Sequence, residues 1–400
     1  MSPARHPAAG TVCRVPPPLW DVIIIGAGPA GSAAAASALD VRPGARVLLL
    51  DKKTFPRDKA CGDGIAAEAL DVLGSLGFDV DAVLRGFPPI DRLRLRSPGG
   101  SVVERRMARP VWTIPRTVLD ARLVADVVAR GAVLQQRQVR SVEPGADDVV
   151  VDGVLRARVV VGADGAESVV RRMPGIFSVG ADAGFGRAAL AIRGYSSALP
   201  GQGRAQWITM SGQNWPAYAW SFPIGDGSAN VGYGELIDNR SLSRAAMLRR
   251  MSELLPGLEP ATGLRAHRLP LSPGRPRVAD GRVLLAGDAL SLINPLSGEG
   301  IFYALRSGAL AGRAAAAGAG AGLEYRTQLG RALGRHLRSS DVAARLVRAQ
   351  RLIDGGVRAA GRHQPVFDDL VSLALGDGRL TPRLLSGVVL QAFLPGGDTR

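Results

Sequence analysis

Asp21-Val-Ile-Ile-Ile-Gly26-Ala-Gly28-Pro-Ala-Gly31 is an apolar run that breaks into three spaced glycines. Four successive β-branched residues, Val22 to Ile25, predict a strand buried on both faces. Ala30 to Leu39 is small and Ala-rich, which predicts a helix able to lie close against a sheet. Arg46-Val-Leu-Leu-Leu50 is a second buried strand, and the three segments together predict a βαβ unit. Gly26 allows the tight turn, Gly28 lets the backbone approach a pyrophosphate, and Gly31 lets helix and strand pack closely. Ala30 falls in the first helical turn, whose free N–H groups and positive dipole end suit a phosphate. Asp51, at the end of the second strand, is placed to accept a hydrogen bond from a ribose hydroxyl. This order of strand, glycines, helix and distal acid predicts a dinucleotide site without separating FAD from NAD.

With 400 residues the chain can bury a large core in two or three structural parts. Apolar and charged fractions of 46% and 21% are those of a soluble globular protein, so disorder is expected only in residues 1–18, rich in Pro, Ala and Arg. That tail lacks the apolar core of a secretory signal, and no later run is long and apolar enough to span a bilayer. Two cysteines, Cys13 and Cys61, make no disulfide framework, so a cytoplasmic location is expected. The net charge of +15 is carried almost wholly by arginine, since only Lys52, Lys53 and Lys59 are lysines. This bias, with abundant Ala, Gly and Pro, fits a GC-rich genome and dispersed surface arginines. The functional alternative is an anionic membrane, touched peripherally, or a diphosphate substrate. No zinc-finger spacing, RNA-binding aromatic motif or basic block is present, so neither a metal nor nucleic acid is expected.

Further along, Ile65 to Leu76 and Thr117 to Arg130 read as helices, and Leu93 to Val103 reads as a β-hairpin turning at Ser97–Ser101. Val149 to Val161 supplies strands, residues 185–275 read as mainly antiparallel strands, and Arg282-Val-Leu-Leu-Ala286 as another buried strand. A loop and a helix through Ala304 follow, and the chain from 325 onward reads as helical. Leu384 to Phe393 is an apolar stretch suited to covering a pocket. The expected fold is an α/β Rossmann-like nucleotide domain with an inserted, mainly antiparallel β-sheet substrate domain and a helical C-terminal region. Its nucleotide domain is discontinuous, over 19–88, 115–172 and 276–324. The substrate domain takes 89–114 and 173–275, and the helical region 325–400.

Two later segments settle which dinucleotide the resemblance implies. Val159-Val-Val-Gly-Ala-Asp164-Gly165-Ala-Glu-Ser168-Val-Val-Arg171-Arg172 resembles the DG fingerprint of flavoproteins related to the aromatic hydroxylases. Leu284-Leu-Ala-Gly287-Asp288-Ala resembles their GD fingerprint, whose carboxylate holds a ribityl hydroxyl of FAD. Arg116 occupies the place of the same group's FAD-contacting arginine, and Val139 is expected beside the cofactor. With one GxGxxG unit only, the electron donor is expected to be transient NAD(P)H or another protein.

Phe55-Pro-Arg-Asp-Lys59-Ala-Cys61-Gly62-Asp63-Gly64-Ile65 sharpens the resemblance to the geranylgeranyl reductase family, flavoproteins that saturate isoprenoid double bonds. The resemblance covers residues 20–310. It implies that Lys52, Lys59, Cys61 and Gly62 approach the flavin. It also implies that Tyr218-Ala-Trp220-Ser-Phe222-Pro223 and Gly232-Tyr-Gly234 line a prenyl pocket, since aromatic walls suit a flexible apolar chain. Pro295, Gly298, Gly300 and Ile301, within Ile293-Asn-Pro-Leu-Ser-Gly-Glu-Gly-Ile301, are expected against the flavin ring, where helix N–H groups stabilise negative charge. Three places depart from the family: Trp215 stands where a proline precedes Tyr218, Ala60 replaces another, and the pair Leu290-Ser291 replaces Ala-Gly after Asp288. The implied activity is saturation of an isoprenoid C=C bond by hydride from reduced FAD, with Cys61 and Tyr218 as candidate catalytic residues beside ordered water. The alternatives are an FAD monooxygenase (hydroxylase or epoxidase, with a halogenase disfavoured by its missing lysine) and a flavin electron carrier without catalysis of its own.

Overall fold

A computed structural model of the chain describes residues 18–173, 187–237 and 242–393. Residues 1–17 of the expected disordered tail, Cys13 among them, lie outside these. Val22 to Ile25 form most of strand β1 (Leu19–Ile25) and are buried on both faces, as a parallel strand between helical layers must be. Helix α1 (Pro29–Val41) begins with proline in its first turn, and β2 (Val47–Asp51) runs parallel to β1 with Leu50 opposite Ile25. A two-residue strand β3 (Gly64–Ile65) precedes helices α2 (Ala67–Ser75) and α3 (Val80–Leu84). Strands β4 (Ile90–Arg96) and β5 (Val102–Thr113) form the expected hairpin. Then come α4 (Arg116–Ala129), β6 (Val133–Gln136), β7 (Val142–Pro144), β8 (Val149–Val151) and β9 (Leu155–Gly162). Strands β10 (Ala188–Ser197), β11 (Ala205–Met210), β12 (Ala217–Pro223) and β13 (Ser228–Leu236) lead to α5 (Arg244–Leu254), β14 (Thr262–Pro270) and β15 (Val283–Leu285). The chain ends in α6 (Ile301–Ala317), α7 (Ala321–Leu346), α8 (Gln350–Arg362), α9 (Gln364–Leu375) and α10 (Pro382–Phe393).

The first sheet aligns β6, β2, β1 and β9 in parallel; the end of β9 pairs with β15 and its start with the β7–β8 hairpin. Strands far apart in sequence thereby finish side by side. Gly26 N donates to Leu50 O at 2.7 Å, Ala163 N to Ile25 O at 2.7 Å and Ala286 N to Gly162 O at 2.9 Å. The three fingerprint turns share one edge, the C-terminal end of the strands, where α/β sheets bind ligands. Gly26 sits at φ +103°, and a Cβ there would stand 2.2 Å from Ala163 O, so only glycine allows the neighbouring turns to touch. At Gly31 a Cβ would come within 1.8 Å of Gly26 O, which agrees with its assigned packing role.

The second sheet has the order β14-β10-β13-β12-β11-β4-β5-β3, antiparallel except for β4 beside β11. Through β3 the segment that follows β2 crosses to this sheet, pairing Gly64 with Thr113. One stretch departs from the strand reading of 185–275: residues 244–254 are helix α5. Ser243 caps it through the Ala246 N–H, and Met247, Met251 and Leu255 sit at helical spacing against Ile192, Ala217 and Tyr233. Helix α6 also runs past Ala304 to Ala317, because Gly308 and Gly312 let it lie directly on α1; Cβ atoms there would stand 2.1 Å from Ala30 O and from Ala34 O.

This backbone contact gives a stability prediction. Gly312→Val forces α1 and α6 apart and should lower unfolding free energy by about 2–3 kcal/mol, measured by urea denaturation.

Candidate active site

The turn between β1 and α1 is held open by carboxylates rather than by its glycines alone. Asp51 accepts from Ala27 N at 3.0 Å and Lys53 N at 2.9 Å, which ties the turn to the end of β2. Arg57 bridges Asp51 at 3.4 Å and Asp120 at 3.0 Å, and Asp120 also forms a two-pronged pair with buried Arg116 at 2.6 and 2.7 Å. The Arg57 and Arg116 guanidinium groups stand 3.4 and 3.6 Å from the Cβ position at Gly28. Two cations and the α1 N-terminus thus converge on one point, which suits a pyrophosphate. Arg57, inside the Phe55–Ile65 stretch, and Asp120 were given no role from the sequence; only their convergence reveals one.

At the neighbouring turns, Asp164 accepts from Ser168 Oγ at 2.6 Å and Val169 N at 2.7 Å, and so shapes the turn after β9. Burial raises its carboxyl above the ordinary range. Asp288 meets Lys59 Nζ at 2.9 Å. Burial works against its charge, yet the Lys59 ammonium and its hydrogen bond outweigh that and hold the Asp288 carboxyl below the usual range. Beside this pair, His267 on β14 is pushed down to about 4 by burial, with the Lys59 charge acting in the same sense. Its buried Nε2 has no hydrogen-bond partner, so a neutral imidazole nitrogen is left for a ligand. Nothing in the sequence around His267 pointed to it.

The Lys59–Gly64 loop is clamped to the second sheet. Asn230 Nδ2 donates to Cys61 O at 2.9 Å and to Asp63 Oδ2 at 2.8 Å, while Tyr195 Oη donates to the same carboxylate oxygen at 2.6 Å. Arg193 donates to Lys59 O at 3.1 Å and pairs with Asp58. The Asp63 Oδ1 atom is buried without a partner, and burial raises this carboxyl to about 6. Burial also raises the Cys61 thiol, so it stays protonated at neutral pH. On β12, the Tyr218 and Trp220 rings lie 5.9 Å apart and the Trp220 and Phe222 rings 6.4 Å. The Trp220 indole donates to Asn230 Oδ1 at 2.9 Å, and the Cβ position at Gly62 lies 3.5 Å from Phe222. The Cys61 turn therefore rests on the aromatic wall. Tyr218 donates its hydroxyl proton to Ser297 O; burial, with Glu299 nearby, raises its pKa.

A cavity of about 760 Å³ joins these parts. Gly26, Gly28, Ala30, Asp51, Lys52, Lys59, Cys61, Gly62, Arg116, Val139, Asp164 and Asp288 line one end, with Pro295, Gly298, Gly300 and Ile301. Tyr218, Trp220, Phe222 and Gly234 line its middle. Gly31 and Gly287 stand behind the lining and act through packing. Pro223 and Gly232, expected in the pocket wall, are outside it as well. Pro223 alternates to the opposite face from Phe222, and the Trp220 ring covers Gly232, whose Cβ position is 2.2 Å from that ring. Beyond Trp215 the lining turns wholly apolar, from Leu93 and Ile208 to Val357, Leu384 and Val388. Leu346, Leu385 and Val389 both line the cavity and are exposed, which marks its mouth between α7 and α10.

The fold and the site define an FAD-binding oxidoreductase. A family model described as an FAD binding domain matches residues 20–200. Menaquinone reductase from Mycolicibacterium smegmatis is 36% identical, with 73% of this chain and 75% of the relative covered. Digeranylgeranylglycerophospholipid reductase 1 from Methanopyrus kandleri is 30% identical, over 74% of this chain and 80% of its own. The crystal structure of a geranylgeranyl bacteriochlorophyll reductase-like protein from Thermoplasma acidophilum superimposes with a TM-score of 0.77 at 20% identity, covering 93% of this chain and 96% of that one. The chain belongs to the geranylgeranyl reductase family of FAD-dependent oxidoreductases. Among the described residues no cluster of His, Cys, Asp and Glu is placed to hold a metal, and no helix is long and apolar enough to cross a membrane.

Asp63 makes the site's state measurable. Its folded pKa, about 6, exceeds the ordinary 3.8, so its contribution to stability is complete below pH 3.8 and lost as pH rises past 6. Relative to Asp63→Asn, the wild type should lose about 3 kcal/mol between about pH 4 and pH 7, measured by urea unfolding.

Proposed function

We propose that this protein saturates isoprenoid C=C bonds, with FAD as its redox cofactor. The observation that carries this reading is the continuity of the cavity: the cofactor end, the Cys61 turn on its aromatic wall and an apolar sleeve form one space. A prenyl chain is apolar and flexible, so its affinity must come from buried area and its reactivity from being held still. The aromatic rings of β12 supply the hold. The two relatives, a menaquinone reductase and a digeranylgeranylglycerophospholipid reductase, support a substrate that carries a prenyl chain. Bound and reduced, FAD supplies a hydride. For its binding, Arg57, Arg116 and the α1 N-terminus would take the pyrophosphate, Asp51 a ribose, and Asp288, Lys59 and His267 the ribityl region. Electrons would come from transient NAD(P)H or a protein donor, since the chain carries one dinucleotide unit.

The reading is tested by reducing the enzyme-bound flavin without oxygen and adding a prenyl lipid or geranylgeranyl diphosphate. The expected result is flavin reoxidation and a product about 2 mass units heavier per bond. Reoxidation that requires oxygen and inserts an oxygen atom would instead identify a monooxygenase, and substrate-independent behaviour an electron carrier.

Peripheral contact with an anionic membrane is part of the same reading, because the cavity mouth continues into exposed Leu390 and Phe393 on α10. A substrate lipid would then pass from bilayer to sleeve without crossing water. Replacing both Leu390 and Phe393 by Asp should weaken cosedimentation with anionic liposomes by at least about tenfold while the enzyme stays folded. Equal sedimentation of both forms would remove the contact.

A further inference from the structure

Glu299 is a carboxyl on the cavity wall to which the fingerprints gave no role. It stands between Gly298 and Gly300, directly ahead of α6, half-buried and lining the cavity. Its Oε1 accepts from Phe302 N at 2.8 Å, and Ile301 N adds a second backbone hydrogen bond. These N–H groups belong to the first turn of α6, where negative charge is stabilised. The aromatic wall adjoins it: Tyr218 binds the Ser297 carbonyl, and its hydroxyl lies 3.0 Å from the Cβ position at Gly298. The cofactor loop and the prenyl wall therefore meet at this residue.

Burial raises the Glu299 carboxyl to about 7, and the charges of Glu68 on α2 and Asp288 after β15 act in the same direction. Tyr218 on β12 and Tyr303 on α6, the other titratable groups that feel its charge, are themselves raised by burial. At neutral pH Glu299 thus keeps a proton for much of the time, and a helix end receives the charge when that proton leaves. General acids work best with a pKa near the working pH. Cys61 is a weaker acid because burial raises it, and the Tyr218 proton is committed to Ser297 O. Asp63 also borders the cavity, but its side chain has no exposed surface and is held by Asn230 and Tyr195.

We propose that Glu299 is the proton donor of the reduction, delivering its carboxyl proton to one carbon of the prenyl double bond while the other carbon receives hydride from the reduced flavin. The proposal rests on the reductase reading above. The carboxyl O–H bond breaks and the alkene π pair forms the C–H bond to that proton. Hydride brings the electron pair of the second C–H bond. The alkene is reduced, the flavin is left oxidised, and Glu299 is left as a carboxylate that water reprotonates.

The test compares wild type with Glu299→Gln. Oxygen-free enzyme with reduced flavin is mixed rapidly with a prenyl lipid across about pH 5.5–8.5, and flavin reoxidation is followed by absorbance. The wild-type rate should fall as pH rises through about 7. Glu299→Gln should be slower by about 10²–10⁴-fold and lose that pH dependence, while binding FAD as wild type does in a fluorescence titration. Independently of turnover, an infrared carboxyl band that titrates near 7 in wild type should be missing from Glu299→Gln. A variant within about threefold of wild type, or a wild-type profile flat across the range, overturns the role of Glu299. If the variant fails to retain FAD, the wild-type pH profile and infrared band decide alone. Absence of any substrate-driven reoxidation in wild type removes the reductase reading, and this role with it, whereas a retained rate in the variant removes only the role.

Discussion

One carboxamide joins the two halves of this protein's chemistry. Asn230, fully buried on β13, donates to the Cys61 carbonyl and the Asp63 carboxylate and accepts from the Trp220 indole. It therefore ties a loop that leaves the nucleotide sheet to the aromatic wall of the other sheet. Buried polar groups of this kind are costly unless satisfied, and the dry surroundings strengthen those bonds that are made. Replacing Asn230 by an apolar residue would strand the Cys61 carbonyl and the Trp220 indole N–H at once, a larger loss than one neutral hydrogen bond. The placement of the Cys61 turn on the rings of Trp220 and Phe222 follows from this constraint, and so does the shape of the cavity between cofactor and substrate.

The acids of the cavity differ in whether a cation pairs with them directly. Asp288 has Lys59 within 2.9 Å and stays ionised. Asp63 and Glu299 are offered hydrogen bonds but no adjacent ammonium, and burial raises them to about 6 and about 7. One cavity thus holds an ionised Asp288 beside the sheet turns and protonatable carboxyls, Asp63 and Glu299, beside the aromatic wall. The distal sleeve is lined by apolar side chains from both the second sheet and the C-terminal helices. This segregation suits a substrate with a long uncharged chain, since the sleeve costs such a chain no polar desolvation.

Much of the architecture was legible because it rests on local rules. Four β-branched residues before Gly26, an alanine-rich helix and the paired turns at Asp164 and Asp288 specify strand, helix and loop within a few residues of themselves. The reading weakened where a residue's role depends on a distant partner. Residues 244–254 follow a helical spacing that the surrounding strand pattern obscured, and a serine cap and three methionine and leucine contacts decide it. Gly232 looked like part of a pocket wall, yet the Trp220 ring covers it. His267, Arg57 and Asp120 received no role from the sequence, since each matters only through atoms that folding brings beside it.

The sequence by itself determined that the chain has a dinucleotide-binding βαβ unit, that two further fingerprints resemble those of FAD proteins, and that a Cys61 loop and an aromatic strand exist. Those are properties of short segments, fixed by residue type and spacing. Only the tertiary structure decided that the loop lies on the strand, that α10 borders the mouth of the cavity, and that Glu299 lines that cavity beside Tyr218 of the aromatic wall. Burial and the field of neighbouring charges are set by contacts across the whole fold, and these determine which carboxyl keeps its proton.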